Sequence, residues 1–319
     1  MNDERPPKPG ARAPAPQRGW PRAAALFAVL LVPSVVRPDV LVGVPFVILG
    51  GVLGLRRLGL VLLAALAVAV VVGGGPRDGL WYVERGWAVL VGGGFAALTL
   101  RDPGATFTRR ALGALAGAMA FAALLFAAQE GAWGSLDLAM RDRVTGAVRS
   151  ALDAMVLLRG GEAVPQALVT SLYRTAEAQT SVFPALVGIS TMAGLGVAWW
   201  VYVRLALGND QAVRPLREFR FNDHLVWLLI GGLVLLLVGR WEGWLPRVGA
   251  NAVVFMGSLY ALRGAAVILF LSGGLSLIGT ILLTLGLVFV TPVILAGAMV
   301  IGIGDTWLDV RGRIGSAAA

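Results

Sequence analysis

Long apolar stretches recur along almost the whole chain, and short arginine-containing segments separate them. The runs cover 23–36, 40–55, 58–75, 87–100, 111–129, 184–206, 225–239, 252–272 and 275–303. A helix needs about 20 apolar residues to cross the hydrocarbon core of a bilayer, within a range of about 17–25. The pattern predicts an all-α, polytopic transmembrane bundle of about nine hydrophobic segments. The shorter runs can span the core only if flanking residues extend the helix or if the helix is nearly perpendicular to the membrane.

Prolines inside the runs predict bends at Pro33, Pro45 and Pro292, because proline removes a backbone donor and clashes with the preceding turn. The last run, 275–303, contains 29 residues. As one helix it would be about 44 Å long, against a hydrocarbon core of about 30 Å. It is therefore either one strongly tilted helix or a hairpin broken near Thr291 and Pro292.

Residues 130–182 form the one sizeable segment between apolar runs, and their pattern is amphipathic. Apolar residues recur there every three or four positions, which predicts a helical stripe. The stripe consists of Leu136, Met140, Val144, Ala147, Ala151, Met155 and Leu158. Asp137, Arg141, Asp142, Arg149 and Asp153 fall off it. After Gly160 and Gly161 a second helix is predicted, with Leu168, Val169, Leu172, Tyr173 and Ala176. Two short external amphipathic helices of this kind lie in the membrane interface or form a lid over an external cavity.

The two ends of the chain differ from the rest. Residues 1–22 are rich in Pro, Ala and Arg and have no hydrophobic period, which predicts a disordered cytoplasmic tail. The run that follows has no small-residue cleavage site, so an uncleaved first helix is expected. Residues 23–313 then form one transmembrane domain, and 314–319 form a short tail.

The distribution of basic residues predicts the orientation. With the N-terminus inside, the cytoplasmic segments contain fourteen basic residues and the short external segments contain five. This excess is the positive-inside pattern of an inner (plasma) membrane protein. Residues 208–224 are then cytoplasmic and 130–182 external. Arg311 and Arg313 favour a cytoplasmic C-terminus, which agrees with a broken last run.

Composition supports a bilayer-embedded chain and excludes several classes of function. Of the 319 residues, 57% are hydrophobic and 14% are charged, whereas soluble domains have about 25% charged residues. The net charge of +9 comes from arginines at the ends of apolar runs, so nucleic-acid binding is not expected. The chain has no cysteine, which removes disulfides and thiolate chemistry.

Motifs that carry catalysis are absent from the sequence. There is no phosphate-binding Gly-Lys-Ser/Thr loop after a strand, no zinc spacing and no serine elbow. We therefore expect no enzymatic activity, no metal and no cofactor. His224 is the only histidine and follows Asp223 at a membrane entry. It is either an interface residue or a proton-handling one.

Arg263 is the most informative residue, because it is the twelfth residue of the run 252–272. Insertion of an arginine near the bilayer centre costs about 2.5–3.5 kcal/mol, so such a residue needs a polar partner or water. The functional interpretation is an anion or carboxylate site or a gate, and the alternative is a buried structural ion pair. Helical spacing places Tyr260 and Asn251 on the same face.

Two charged clusters flank the late apolar runs. The first, LREFRFNDHLVW at 216–227, and the second, GIGDTWLDVRGR at 302–313, are interpreted as solvated anchors or as partner-docking surfaces. They contain Arg217, Glu218, Arg220, Asp223, His224, Asp305, Asp309, Arg311 and Arg313. The candidate acids for Arg263 are Asp305, Asp309, Glu218 and Glu242. With a broken last run, Asp305 lies about 15 Å of helix rise from the depth of Arg263, so a cavity or Glu242 competes with a direct pair.

Three stretches resemble the YybS-like family of uncharacterised bacterial membrane proteins. They are PFVILGGVLGLRRLG at 45–59, NAVVFMGSLYALRGAAVILF at 251–270 and the GIGDTWLDVRGR ending. Arg263-Gly264 stands where that family commonly has Gln-Gly. The family is similar in pattern to the substrate-binding subunits of energy-coupling-factor vitamin transporters and, more loosely, to the rod-shape protein MreD.

That resemblance implies two rival functions. The first is a small-molecule transport or substrate-capture membrane subunit, and the alternative is a scaffold or assembly factor for cell-envelope machinery. The lipid bilayer and other membrane or cytoplasmic subunits are the expected partners. An internal cavity around Arg263 favours transport, whereas a tight, sealed ion pair favours the scaffold.

Overall fold

The computed structural model describes residues 24–31, 43–53, 57–73, 80–206, 216–239, 243–274 and 276–317. All regular secondary structure in these ranges is helical. The predicted all-α fold is therefore confirmed for the described residues. The predicted tail 1–22 and the bend at Pro33 lie outside them.

Thirteen helices follow one another along the described ranges. The first, α1, covers 24–31. The others are α2 (Gly43–Leu53), α3 (Arg57–Val72), α4 (Trp81–Arg101), α5 (Phe107–Ala128), α6 (Ala132–Leu158), α7 (Gln166–Ser181), α8 (Phe183–Val201), α9 (Val226–Val238), α10 (Trp244–Leu271), α11 (Leu277–Phe289), α12 (Thr291–Leu308) and α13 (Val310–Ala317). A π-helical turn, Tyr202–Ala206, extends α8, and two 3-10 turns, Leu216–Glu218 and Asp223–Leu225, precede α9.

Four of the described helices are long and apolar enough to cross a membrane: α5, α8 with its π-helical extension, α10 and α12. Three shorter apolar helices lie at Arg57–Val72, Asp223–Val238 and Leu277–Phe289. The total of nine spanning segments therefore stays a prediction.

The long last run is not one helix. Helix α11 ends at Phe289, and α12 begins at Thr291 with Pro292 in its first turn. Proline is tolerated there because the first helical N–H groups have no partner in any case. The broken interpretation of 275–303 is the correct one. Pro45 is the third described residue of α2, and the residues before Gly43 lie outside the described ranges, so the bend at Pro45 stays a prediction.

Among the described residues, the two larger of four packed cores hold most of the bundle together. The first lies among α2, α3, α4, α5 and α8 and is centred on Phe95, whose ring meets Phe107 at 5.8 Å and Trp199 at 6.0 Å between centroids. The second lies around α9, α10 and α12 and contains the fully buried Met256 and Tyr260. Helix α10 thus lies at the centre of the late half of the chain.

Glycines let α10 approach both of its neighbours closely. A Cβ on Gly249 would lie 2.6 Å from the carbonyl oxygen of Gly232 in α9. A Cβ on Gly264 would overlap the carbonyl of Ala298 in α12, and one on Gly302 would overlap the carbonyl of Tyr260. Small residues at these crossings permit backbone contact, which is how membrane helices associate without a hydrophobic driving force between them.

The segment 130–182 forms the predicted pair of helices, but α6 has 27 residues and is not short. Its stripe is buried only near the start, at Leu136, whereas Leu158 is 88% exposed. The far half of α6 therefore presents its apolar side outward, as an interfacial helix does.

Candidate functional site

Arg263 lies inside the bundle on α10, with only 2% of its surface exposed. Its Nε donates a hydrogen bond to Oδ2 of Asp305 at 3.0 Å, and its Nη2 donates to the Asp305 backbone oxygen at 3.3 Å. Its Nη1 donates to the carboxylate of Asp223. A buried guanidinium requires such partners, and here two carboxylates supply them.

Asp305 connects this arginine to a second one. The Asp305 carboxylate, 1% exposed, also accepts a hydrogen bond from Nη2 of Arg311 at 2.8 Å. Nη1 of Arg311 donates to the backbone oxygens of Arg217 at 3.1 Å and Phe219 at 3.0 Å. We name Arg263, Asp305, Arg311 and Asp223 the Arg263 cluster. It contains two positive and two negative groups.

Arg263 and Asp305 lie closer together than the sequence indicated. The sequence placed them about 15 Å apart in helix rise, but they form a direct pair because α12 packs against α10 at the Gly264 and Gly302 crossing. Glu242, the competitor, lies outside the described residues. Since Arg311 contacts Arg217 and Phe219, the C-terminal segment lies at the same end of the bundle as 216–223.

Two aromatic rings pack beside the guanidinium. The Cζ of Arg263 lies 5.5 Å from the centroid of the Phe221 ring, and Phe221 meets Tyr260 edge-on at 5.1 Å. The attraction between a guanidinium and an aromatic ring is stronger when both are removed from water. The cluster is thus enclosed by protein on the side of α10, and it resembles a structural ion pair more than a gate.

The remaining charged candidates stay outside the cluster. Glu218 and His224 are exposed, and the backbone N–H of His224 donates to the Asn222 side chain at 3.0 Å. Asp309 forms an exposed ion pair with Arg220, with 2.9 Å between its Oδ1 and Nη2 of Arg220. The segments 216–227 and 302–313 therefore bind one another. This contact buries Asp305 and Arg311, whereas Glu218, Arg220, His224 and Asp309 stay exposed, as expected of solvated anchors.

Asn251 does not share the surroundings of Arg263. Twelve residues of helix rise by about 18 Å, so equal facing on α10 does not bring the two side chains together. Asn251 instead accepts a hydrogen bond from the backbone N–H of Ala185 at 2.8 Å and donates to the backbone oxygens of Ser181 at 3.0 Å and Arg247 at 2.8 Å. It joins α10 to the α7–α8 junction at the opposite end of the bundle.

Arg247 is the centre of this opposite end. Its Nε donates to the backbone oxygen of Ser181 at 3.3 Å, and its Nη2 donates to that of Thr180 at 3.1 Å and to the Asp137 carboxylate. Its Cζ also lies 5.6 Å from the ring centroid of Trp133. Sequence reasoning counted Arg247 only as a topology charge. The signal that could have identified it is its position four residues before Asn251, on one helix face.

Asp137 attaches α6 to this centre. Besides Arg247, it accepts from Nε of Arg141, one turn further along α6, at 3.3 Å. Its side chain is only 15% exposed. Asp137 lies off the apolar stripe of α6, and this position turns its carboxylate toward Arg247 of α10.

A cleft of about 610 Å³ opens beside Arg247, between the α6–α7 pair and helices α9 and α10. Its polar lining residues are Arg141, Thr145, Tyr173, Glu177, Thr180, Ser181 and Arg247. Its apolar lining includes Ala176, Leu236, Pro246 and Ala250. A second cavity of about 170 Å³, near Phe46 and Leu100, is lined almost entirely by apolar side chains. The larger cleft is thus the site with groups that could orient a ligand.

The attachment of α6 should depend on pH through Asp137. The hydrogen bond from Arg247 holds the pKa of Asp137 below its ordinary value, although partial burial opposes the shift. A depressed carboxylate pKa stabilises the folded state above the ordinary value of about 3.9, and this stabilisation is lost as pH falls through the lower, folded value. We expect the protection factors of the α6 amides, which compare observed exchange with the intrinsic rate at each pH, to fall over that acidic range.

Asp137→Asn should show the lowered protection factors already at pH 7 and lose the acid-dependent step. Asp153→Asn, an exposed position on the same helix, should keep it. An unchanged acid step in Asp137→Asn would assign the titration to another group.

The helical architecture, the apolar composition and the arginine-anchored helix ends define an integral membrane protein of the all-α class. The chain belongs to the family described as "Predicted membrane protein (DUF2232)", whose model matches residues 23–306. The expected resemblance to a family of membrane proteins of unknown function is thereby confirmed. No curated protein and no solved structure gives a significant match.

Proposed function

We propose that the protein is a multi-pass subunit of the bacterial inner membrane that captures a small molecule in the cleft between α10 and the α6–α7 pair. The observation that carries the proposal is the cleft itself. Its volume of about 610 Å³ falls within the roughly 300–1,000 Å³ typical of ligand sites, and it combines apolar walls with a few polar groups. The role is binding, without catalysis.

The position of the cleft supports capture from one side of the membrane. Two helices that are amphipathic in sequence cover it, and the contact between Asp137 and Arg247 fastens one of them to α10. Helix α6 makes a second, exposed contact through Arg143 and Glu84. Apart from the core contact of Leu136 with Leu80 and Phe183, α6 is held by few polar contacts, so its far half can open without disturbing the packed cores. This is the lid interpretation of 130–182, with the cleft at Arg247 in place of a cavity at Arg263.

The scaffold or assembly role is the alternative, and the Arg263 cluster favours it. A central arginine that binds a substrate should face a cavity, whereas Arg263 is buried against Asp305 and Asp223. We therefore assign Arg263 to the fold and leave ligand binding to the cleft.

The proposed orientation places the N-terminus and residues 208–224 in the cytoplasm and the α6–α7 pair outside. Single cysteines at Ser150 and Glu218, both exposed, report it in this cysteine-free chain. A membrane-impermeant maleimide should label Ser150→Cys in intact protoplasts and Glu218→Cys only after permeabilisation. The reverse pattern would place the cleft in the cytoplasm.

Filling the cleft should abolish retention of its ligand. Thr145→Trp adds a large ring to the α6 wall, whereas Ser150→Trp adds the same ring to an exposed position of α6 outside the cleft. Both proteins are purified in lipid nanodiscs, and the molecules extracted from them are measured by mass spectrometry. We expect one compound to fall at least about tenfold in Thr145→Trp, which corresponds to about 1.4 kcal/mol, and to persist in the control. Retention that is equal in both variants would favour the scaffold.

A further inference from the structure

Two arginines meet on one side of the cleft with a single carboxylate between them. Asp137 accepts from Arg141 and from Arg247, so this side has a surplus of one positive charge. Arg141 reaches Asp137 through Nε, its side chain is 63% exposed, and a guanidinium has further N–H donors on its two terminal nitrogens. Such a pair is suited to an anionic group, which it can bind by charge-assisted hydrogen bonds.

The wall formed by α7 has the opposite character. Glu177 and Tyr173 are four residues apart and both line the cleft, so they lie on one face of α7. In the part of the chain that the structure describes, Glu177 forms no salt bridge. An ionised carboxylate only accepts hydrogen bonds, so its preferred ligand partner is an ammonium group.

The floor between these walls is apolar, formed by Leu236, Pro246 and Ala250. This floor suits a hydrocarbon part of the ligand, either between its charged groups or beyond them. A ligand with only an anionic group would be repelled by Glu177. A ligand with only an amine would be repelled by Arg141 and Arg247.

Resting on the capture function, we propose that the ligand is a zwitterion, with a phosphate or carboxylate at Arg141 and Arg247 and an amine at Glu177. Two sources share this chemistry. One is the phosphoethanolamine headgroup of a membrane lipid, and the other is a water-soluble zwitterion of similar size.

The test uses O-phosphoethanolamine, inorganic phosphate and ethanolamine as probes, with the full-length protein in nanodiscs of phosphatidylglycerol alone. Binding is measured by isothermal titration calorimetry. We expect O-phosphoethanolamine to bind at least about tenfold more tightly than either single-charge probe. Glu177→Gln should lower the affinity for O-phosphoethanolamine to that for phosphate. Arg141→Gln should weaken the binding of both O-phosphoethanolamine and phosphate.

Matched controls are Glu162→Gln and Arg149→Gln, which remove the same charges from exposed positions that do not line the cleft. Both should bind the probes as the unaltered protein does. Because Glu177 and Arg141 are exposed, their variants are expected to fold. Thermal unfolding in the same nanodiscs checks this.

Nanodiscs that contain phosphatidylethanolamine distinguish the sources. If the lipid headgroup occupies the cleft, they should suppress O-phosphoethanolamine binding, and the protein should retain that lipid more strongly than Glu177→Gln does. Undiminished binding assigns the site to the soluble zwitterion.

Equal affinities for phosphate and O-phosphoethanolamine, unchanged by Glu177→Gln, would overturn the zwitterion and leave capture intact. The same conclusion would follow if no probe bound while the cleft-dependent compound persisted. Absence of both probe binding and that compound would refute the capture function as well.

Discussion

Asp305→Asn should destabilise the protein by about 3 kcal/mol or more, because it removes one partner of a buried ion pair and leaves the other charged. The change keeps the shape of the side chain. It leaves Arg263 and Arg311, both buried, with Asp223 as the only carboxylate in the Arg263 cluster. The expected result is a large drop in unfolding midpoint and in the folded fraction obtained in detergent.

Asp309→Asn is the matched control, four residues further along the chain. Asp309 pairs with Arg220 at the surface, where its side chain is 57% exposed, and exposed pairs contribute about 0–1 kcal/mol. Its backbone is left-handed, with φ of 40°, which asparagine also tolerates. If the two variants lost equal stability, the Arg263 cluster would not be the structural centre that its burial indicates.

Gly302→Ala should separate α10 from α12, at a cost of about 3 kcal/mol or more. The added Cβ would overlap the backbone oxygen of Tyr260, and no rotamer change can relieve an overlap with backbone. Gly264→Ala should behave in the same way, because its Cβ would overlap the carbonyl of Ala298. Both substitutions should also displace Asp305 from Arg263.

Gly297→Ala and Gly304→Ala are the controls on α12, since a Cβ at either position meets nothing within 4 Å. Alanine is the better helix former by about 1 kcal/mol, so these variants should be neutral or slightly more stable. Thermal unfolding followed by tryptophan fluorescence compares the four proteins. Loss of stability in the controls would mean that α12 packs on another face.

The all-helical fold and the position of the long apolar helices could be predicted, because hydrophobic runs and membrane thickness determine them directly. A break in the helix of the last run was one of two open interpretations. Pro292 indicated the position at which α11 ends and α12 begins. Helix α6 ends at Leu158, where the predicted stripe ends, so only the description of this helix as short was wrong. The close approach of α10 and α12 could not be predicted, since 43 glycines offered many equivalent crossings.

The two ends of the bundle differed in how far sequence could describe them. A charge in the middle of an apolar run identified Arg263, but its choice of Asp305 depends on tertiary packing between α10 and α12. Arg247 was missed because it lies near a helix end, where arginines are ordinary. The contact of Asp137 with Arg247 could not be predicted, because the three-to-four periodicity describes one helix alone and contains no information about the helix packed beside it.

The sequence offered Arg263 both as a structural ion pair and as a ligand site, and the structure places these two features at opposite ends of the bundle. At one end, the Arg263 cluster ties α10, α12 and the segment 216–223 together. At the other end, Arg247 fastens the amphipathic pair over a cleft with mixed charge. A change at the first end should therefore act through stability, whereas an exposed change in the cleft should act through ligand binding.

Native mass spectrometry of the protein released from nanodiscs shows whether the cleft beside Arg247 holds a ligand. We expect a discrete adduct of small-molecule mass on the unaltered protein and on Ser150→Trp, and its loss from Thr145→Trp at unchanged thermal stability. An adduct that survives in Thr145→Trp, or bare protein in all three samples, would contradict ligand binding in this cleft.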